Sequence, residues 1–246
     1  MIVPAVQLYS VRAEMGAQSA KTLTSLAAMG YRAVEPTFDL LGGDPRAFRD
    51  LLEANELTAC SLHGPLLNDH APAVLEAATA IGADTVIIPM IAPDGFSDLA
   101  AVKESARQIN AAAARAAEAG LRLGYHNHHW ELESRIGDRH ALDVLAELLD
   151  PDVLLEVDLY WAAVGGADVP ALLTRLGDRV SHLHVKDGPA TVEAAMTAVG
   201  SGTLPIPSFL AAAPETAWRI VELDRCDGDM LEALAASRTY LAGIGE

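Results

Sequence analysis

Short apolar runs of β-forming residues alternate with alanine-rich helical stretches along the whole chain. Several of the helical stretches have recognisable boundaries: Asp44 and Pro45 are typical of a helix start, and Gly82 and Gly120 of a helix end. The pattern predicts eight strands, each followed by a helix, at residues 3–8, 33–35, 58–63, 85–89, 122–127, 153–158, 180–186 and 219–223.

Eight consecutive βα units favour one architecture. In 246 residues, without a linker rich in Pro, Gly and Ser, they predict an α/β fold, a single (β/α)8 TIM barrel spanning residues 1–246. The alternative is an open doubly wound sheet. For a nucleotide role that fold needs a glycine-rich phosphate loop after the first strand, and residues 9–12 (YSVR) are not one.

Composition narrows the choice of partners. The formal net charge of −17 disfavours nucleic acid, whose recognition needs clustered lysine and arginine. The apolar stretches are too short for a membrane span, and the N-terminus lacks the pattern of a signal peptide. Cys60 and Cys226 have no metal or redox spacing. We therefore expect a cytoplasmic protein without nucleic-acid or membrane partners, while self-association into a homo-oligomer stays open.

The segment 153–161 (VLLEVDLYW) carries the first chemical signal. Glu156 and Asp158 are two residues apart, so in a strand both lie on the same face. Two carboxylates on one face of an apolar strand are costly to bury unless a cation or hydrogen bonds compensate for them. A loop follows, so both acids come late in a strand, where barrel enzymes place their active sites.

Other predicted strands also end in polar residues. Glu35 ends the second strand, His63 the third, and His126 the fifth, while His184 and Glu222 come late in the seventh and eighth. Imidazole and carboxylate groups that converge at one barrel mouth suit one divalent ion such as Mn²⁺, Mg²⁺, Co²⁺ or Zn²⁺. A single histidine is more often a structural residue, but that interpretation weakens when several strands contribute together.

The fifth strand leaves its metal ligand open. Glu131 is preferred because a carboxylate continues the oxygen-rich set, and His126 is the alternative. Glu131 lies beyond the strand, so alternation along the strand says little about its direction.

Lys186 shares a strand face with His184. A nearby metal ion lowers the pKa of a lysine, which suits a base or an acid. The alternative is a lysine paired with Asp187 or Glu222. Trp161 offers an aromatic face for a sugar ring, although plain packing is the commoner fate of a tryptophan.

Five segments together resemble a known family. The chain resembles the xylose isomerase-like TIM-barrel superfamily of sugar phosphate isomerases and epimerases, with inosose dehydratases, 3-keto-glycoside lyases and endonuclease IV enzymes among its members. The resemblance runs nearly end to end and is carried by residues 125–131 (YHNHHWE), 156–161 (EVDLYW) with 165–168 (GGAD), 184–187 (HVKD), 199–202 (VGSG) and 221–224 (VELD).

The resemblance implies a metal site. Such relatives bind one divalent ion with residues from strands five to eight, which implies Asp158, His184 and Glu222 here, with Glu131 from strand five. Sugar epimerases place that first glutamate earlier, where this chain has Gly124 or His126. Because of this departure, the resemblance favours the dehydratase and keto-sugar branches over the epimerases.

Two other classes compete with a sugar enzyme. The endonuclease branch needs additional histidines for three zinc ions. His63 would fit one, but strand four ends in residues 87–90 (IIPM), and Trp161 stands where that branch has a histidine. The third class is a metal-free sugar-binding barrel.

We therefore expect a metal-dependent sugar isomerase or epimerase. It would abstract a proton next to a carbonyl while the ion stabilises the enediolate, and the alternative outcome is β-elimination from a keto-sugar or inosose. Lys186 and His126 are the expected proton carriers. The residues expected to contact the sugar are His63, His128, Glu35 and Trp161.

Overall fold

The computed structural model describes residues 4–246. Residue 3, the start of the first predicted strand, lies outside the described residues. The strands are β1 Pro4–Gln7, β2 Ala33–Glu35, β3 Thr58–Ala59, β4 Leu62–His63, β5 Thr85–Ile88, β6 Arg122–His126, β7 Arg135–Ile136, β8 Arg139–His140, β9 Leu154–Asp158, β10 Val180–Val185 and β11 Trp218–Val221. The α-helices are α1 Arg12–Ala28, α2 Pro45–Ala54, α3 Ala71–Ile81, α4 Leu99–Glu118, α5 Trp130–Glu133, α6 Ala141–Leu148, α7 Leu159–Val164, α8 Val169–Leu176, α9 Ile206–Ala211 and α10 Met230–Gly243.

Nine parallel strand segments form a nearly closed barrel in the order β3-β2-β1-β11-β10-β9-β6-β5-β4. The segments β3 and β4 are two parts of the predicted third strand, which pairs first with β2 and then with β5. The prediction of a TIM barrel is confirmed, with the third strand divided at Cys60 and Ser61. The hairpin β7–β8 lies outside the barrel sheet.

The barrel interior changes from apolar to polar along the strands. Ala5, Ala33, Cys60 and Ile220 form a small buried cluster. Two residues further along their strands come Gln7, Glu35 and Glu222, which lie on the same face because side chains alternate in a strand. The larger hydrophobic cluster holds most of the remaining buried residues. The polar groups are thus concentrated at the carboxyl end of the barrel.

The turn segment 165–168 has a structural role at both of its ends. The N-cap of α8 is Asp168, whose side chain accepts a hydrogen bond from the Ala171 N–H at 3.1 Å. A Cβ on Gly165 would lie 2.5 Å from the Leu132 Cβ and would also meet the His129 carbonyl. The segment 165–168 therefore packs closely against α5. Among the described residues, no helix is both long and apolar enough to cross a bilayer.

Candidate metal centre and active site

A cavity of about 610 Å³ opens at the carboxyl end of the barrel. Strand register places its chemical groups side by side, because Asp158 of β9 pairs with His184 of β10, and β10 pairs in turn with β11. Glu222 follows β11 directly. The lining includes His63, His126, His128, Trp161, His184, Lys186 and Glu222, together with Asp224.

Three side chains from successive strands form the first candidate ligand group. Asp158, His184 and Glu222 each offer one ligand atom, and these atoms lie within 4.8 Å of one another. His184 Nδ1 is 2.7 Å from Glu222 Oε2 and 4.0 Å from Asp158 Oδ2. Within residues 4–246, His184 Nδ1 and Asp158 Oδ2 have no partner in hydrogen-bond geometry, although both are buried. Both atoms are nevertheless close to charged groups, His184 Nδ1 to Glu222 Oε2 and Asp158 Oδ2 to Lys186 Nζ at 2.9 Å, so it is the convergence of this mixed N/O donor set that fits a divalent cation.

A second group adjoins the first. Glu156 Oε2 lies 2.6 Å from His63 Nε2, 3.1 Å from His126 Nδ1 and 3.3 Å from His184 Nε2. These four residues also satisfy the spacing for a metal ion. His184 belongs to both groups, with Nδ1 directed to one and Nε2 to the other.

Glu35 contacts the ring nitrogen of His184 that faces away from Asp158 and Glu222. Its Oε1 lies 2.6 Å from His184 Nε2 and accepts a hydrogen bond from Gln7 Nε2 at 2.8 Å, while Ser61 Oγ donates to its Oε2. Burial alone raises the pKa of Glu35, but His63 and His184 lower it well below the ordinary value, so the group stays a carboxylate. A carboxylate on the outer nitrogen of a metal-binding histidine fixes the ring and leaves the other nitrogen for the ion.

Lys186 is buried among carboxylates. Its Nζ lies 2.6 Å from Glu222 Oε2, 2.9 Å from Asp158 Oδ2 and 2.7 Å from Asp224 Oδ1. Burial lowers the pKa of Lys186, but Asp158, Asp224 and Glu222 prevail and raise it well above the ordinary value. Lys186 is therefore an ammonium group that shares two oxygens with the candidate ligand group.

The histidines differ in charge. Burial and then Lys186 lower the pKa of His128 to about 3, and burial and then His184 lower that of His126 well below the ordinary value, so both are neutral. His63 behaves in the opposite way: burial lowers its pKa, but Glu35 and Glu156 raise it to about 10. His63 is a cation between two carboxylates.

The structure brings most of the predicted site residues together. Asp158, His184, Glu222, Lys186 and His126 meet at the mouth. Of the residues expected to contact the sugar, His63, His128 and Trp161 line the cavity, whereas Glu35 is fully buried next to His184 and is not in the lining.

Glu131 does not join either ligand group. It lies buried in α5, where its oxygens accept hydrogen bonds from Tyr125 Oη at 2.6 Å and from the His128 N–H at 2.9 Å. The ligand preference for Glu131 rested on the chemistry of its side chain. Strand alternation could not place it because it follows the strand by several residues.

Asp187 does not pair with Lys186 among the described contacts. Its carboxylate accepts hydrogen bonds from the backbone N–H groups of Gly188, Gly200, Gly202 and Leu204 instead. Lys186 pairs with Glu222, as one alternative expected, and also with Asp158 and Asp224.

Four residues of the site were not among the predicted ones: Glu156, Asp224, Gln7 and Ser61. Glu156 and Asp224 carried a signal in the sequence, because each is two residues from a predicted ligand on the same strand or just past its end. Gln7 and Ser61 carried none, since their role depends on the position of Glu35 across the barrel.

Comparison with known proteins gives a family and a fold. A family described as xylose isomerase-like TIM barrel matches residues 23–239. No curated protein matches the chain by sequence. A sugar phosphate isomerase/epimerase from Parabacteroides distasonis has 23% identity and a TM-score of 0.79, covering 96% of this chain and 92% of that one.

Two further solved structures share the fold at lower identity. A probable 3-DHS dehydratase involved in petrobactin synthesis, from Bacillus anthracis, has 14% identity and a TM-score of 0.77, covering 98% of this chain and 99% of that one. An AP endonuclease, family 2, from Brucella melitensis has 18% identity and a TM-score of 0.76, covering 99% of each chain.

Proposed function

Because the chain belongs to the xylose isomerase-like TIM-barrel family, we propose that it is a divalent-metal-dependent sugar isomerase or epimerase. Its relatives include enzymes named as isomerases, epimerases and a dehydratase. The observation that supports metal dependence most directly is the convergence of Asp158, His184 and Glu222, whose buried ligand atoms lie within 4.8 Å of one another.

The ligands we propose are Asp158, His184, Glu222 and His126. His126 Nε2 lies 3.9 Å from Asp158 Oδ2, which brings it near the first ligand group, and its Nδ1 is 3.1 Å from the Glu156 carboxylate without hydrogen-bond geometry in residues 4–246. Glu131 is the less favoured fourth ligand because protein donors bind both of its oxygens. A bound Mn²⁺, Mg²⁺, Co²⁺ or Zn²⁺ ion would polarise carbonyl and hydroxyl oxygens of a sugar.

The protein's own residues then handle the proton. Lys186 faces the cavity as an ammonium group, so it can stabilise negative charge on a substrate oxygen and return a proton. His128 is neutral and lines the cavity, so it is the histidine with an uncommitted base once His126 binds the ion, and its pKa of about 3 makes it a weak one. His63 and Trp161 complete the sugar-contacting wall.

Elimination from a keto-sugar or inosose is the second candidate function. One feature favours it: the early part of β6 has Gly124 in place of the first glutamate of an epimerase, and a side chain there would require the Ile87 Cδ1 atom, 2.5 Å from the added Cβ, to move. Without that second carboxylate, proton return to the opposite face of the sugar lacks its usual carrier. In an elimination, Lys186 would instead protonate the leaving oxygen.

A DNA substrate is the least supported possibility. Acidic side chains line the cavity mouth, and in the described part of the chain Lys186 is the single lysine or arginine among the lining residues. A phosphate backbone requires the opposite charge. We propose that the partner is a small sugar molecule and that neither nucleic acid nor a membrane takes part.

The test combines metal titration with proton exchange. Protein stripped of metal is titrated with Mn²⁺, Mg²⁺, Co²⁺ and Zn²⁺, and exchange of solvent deuterium into keto-sugars and inososes is followed by NMR. We expect one ion per chain and exchange that requires it. Asp158→Asn should lose both, whereas the control Glu104→Gln, on the exposed face of α4, should keep both.

The outcomes separate the candidate functions. Exchange with return of the proton at a different position supports the isomerase, and exchange followed by loss of water or an alkoxide supports the lyase. Sugar binding without bound metal or exchange would contradict both and indicate a metal-free sugar-binding barrel.

A further inference from the structure

The charges around the cavity point to one class of sugar. We infer that the substrate is an uncharged, non-phosphorylated sugar or polyol ketone, an inference that rests on the proposed function of the same site. Three features of the cavity mouth support it. The mouth has an excess of carboxylates, the backbone N–H groups of the loop after β10 already bind the Asp187 carboxylate, and the rim is apolar.

The carboxylates outnumber the cations that could receive a phosphate. Asp39, Glu222 and Asp224 line the cavity, and Asp158 shares the Lys186 ammonium with Glu222 and Asp224. A bound divalent ion would be matched in charge by its ligands Asp158 and Glu222, which leaves Asp39 and Asp224 to oppose a phosphate.

The cations Lys186 and His63 in the lining of the described chain are already paired: Lys186 Nζ contacts carboxylate oxygens at 2.6, 2.7 and 2.9 Å, and His63 Nε2 lies 2.6 Å from Glu156 Oε2 and 3.2 Å from Glu35 Oε1. A phosphate group would bring nearly two negative charges into this setting. Like charges disfavour binding most where water is scarce.

Arg12 carries a positive charge but is not among the residues that line the cavity. It lies near the rim, but its Nη1 donates to the Tyr9 carbonyl at 2.7 Å and its Nη2 to the Asp224 carbonyl at 3.1 Å. Its guanidinium also lies over the Tyr9 ring, 4.1 Å from the centroid. Arg12 thus holds the first strand's loop to the loop after β11.

The usual phosphate site of a barrel is occupied by Asp187. TIM barrels commonly bind phosphate with backbone N–H groups of the loops after the last two strands. Here the loop after β10 directs four such groups at the Asp187 carboxylate, at 2.8 to 3.2 Å. Asp187 is 1% exposed, and a side chain on Gly202 would collide with it. The amides that could hold a phosphate therefore already hold an anion of this chain.

The rim suits the C–H faces of a neutral sugar. Tyr9, Phe38, Met90 and Trp161 line the entrance, and Tyr9 and Met90 are 42% and 54% exposed. Aromatic and apolar side chains pack against C–H groups and gain nothing from a phosphate. The polar wall suits the hydroxyl groups of a ligand, and the apolar rim suits its C–H groups. A ligand that has both and carries no charge fits this cavity best.

Matched pairs of sugars test the inference. Metal-loaded protein is titrated calorimetrically with D-fructose and D-fructose 6-phosphate, D-xylulose and D-xylulose 5-phosphate, and D-tagatose and D-tagatose 6-phosphate. Deuterium exchange is followed in the same samples. We expect the free sugar of each pair to bind and exchange at least about tenfold better than its phosphate.

A charge reversal at the rim tests the cause. Asp39 is exposed, lines the cavity and accepts a hydrogen bond from Thr37 Oγ1. Asp39→Lys should reduce the preference for the free sugar over its phosphate, measured as the ratio of their affinities, several-fold at low ionic strength. The matched control Asp39→Asn should reduce this ratio less. Equal discrimination in the wild type and both variants would contradict an electrostatic origin.

The remaining outcomes distinguish this inference from the proposed function. Tighter binding and faster exchange of the phosphorylated partners would overturn the inference and leave the proposed function standing. Binding of the free sugars without exchange would leave the inference standing and overturn the proposed function. Absence of both binding and exchange across the panel would overturn both.

Discussion

At the scale of single residues, His184 shows how the site is organised. Its Nδ1 faces Asp158 and Glu222, while its Nε2 faces Glu35 and Glu156. Because each ring nitrogen has its own set of carboxylates, the imidazole cannot rotate without losing one set. Glu35 and Glu156, on the Nε2 side, thereby fix the direction of Nδ1, the candidate ligand atom.

Lys186→Met should tighten metal binding while it lowers activity. The ammonium of Lys186 contacts Asp158 Oδ2 and Glu222 Oε2, so it competes with a metal ion for the same oxygens. Its removal leaves buried carboxylates without a cation, which should destabilise the metal-free protein by about 3–5 kcal/mol. Calorimetric titration with Mn²⁺ should show at least about tenfold tighter binding in the variant. Lys186→Arg keeps the charge and is the control, and weaker binding in Lys186→Met would contradict the competition.

Glu131 should make stability depend on pH. Burial raises its pKa from the ordinary 4.5 to about 7, so the folded protein retains a proton that the unfolded chain has lost. The contribution of Glu131 to the free energy of unfolding is therefore full below pH 4.5 and is lost as the pH rises to about 7. The loss amounts to about 3 kcal/mol. Urea unfolding at pH 5 and pH 8 should show this loss in the wild type and less of it in Glu131→Gln.

The same variant tests the choice of ligand. Because both oxygens of Glu131 accept protein hydrogen bonds, Glu131→Gln should retain its metal, whereas His126→Ala should lose it. The reverse result would restore Glu131 as the ligand from the fifth strand.

At the scale of elements, the loop after β10 is held by one side chain. Two carboxylate oxygens of Asp187 satisfy four backbone amides between Gly188 and Leu204, so a single residue orders a segment that contains little regular structure. Since the neighbouring Lys186 belongs to the site, order in this loop also positions the proposed proton donor.

Asp187→Asn should loosen this loop. The amide nitrogen of asparagine cannot accept hydrogen bonds, so two of the four N–H groups would lose their acceptor, either those of Gly188 and Leu204 or those of Gly200 and Gly202. Gly200 and Gly202 are exposed and Leu204 is half-buried, so water can replace part of each lost bond, and each costs about 0.5–1.5 kcal/mol. Hydrogen exchange should accelerate across residues 188–204 before it does elsewhere, and Glu193→Gln, an exposed change in the same loop, should leave it unaltered. Uniform acceleration across the barrel would contradict a local role.

At the scale of the whole molecule, the site joins the barrel's strands. Glu35, Asp158, His184 and Glu222 come from four different strand positions, so an ion held among the last three would link β9, β10 and the end of β11. Ligand binding to the folded state alone stabilises it by mass action. Metal affinity and global stability are therefore expected to change together.

Removal of metal should lower the melting temperature. At a free ion concentration about 100 times the Kd, binding contributes about 2.7 kcal/mol, which corresponds to about 5–10 °C for a chain of this size. Differential scanning calorimetry before and after chelation measures the change. Asp158→Asn should show none of it, and an equal shift in that variant would place the ion elsewhere.

The sequence by itself determined the barrel and the composition of its mouth. Period-two alternation along the strands put Glu156 with Asp158 and His184 with Lys186 on common faces, and chain order put them at the carboxyl ends. These inferences are local, since they need only the geometry of a strand and the parallel direction of its neighbours. The family resemblance added the ligand set beyond what alternation could provide.

Only the tertiary structure decided which groups meet. It directed Glu131 toward Tyr125 rather than the ligand groups, and it placed Asp187 against its own loop rather than against Lys186. It also brought Gln7 and Ser61 to Glu35, and Asp224 to Lys186. The physical reason is that a side chain beyond a strand end has no fixed face. Its direction depends on donors and charges that distant parts of the chain supply.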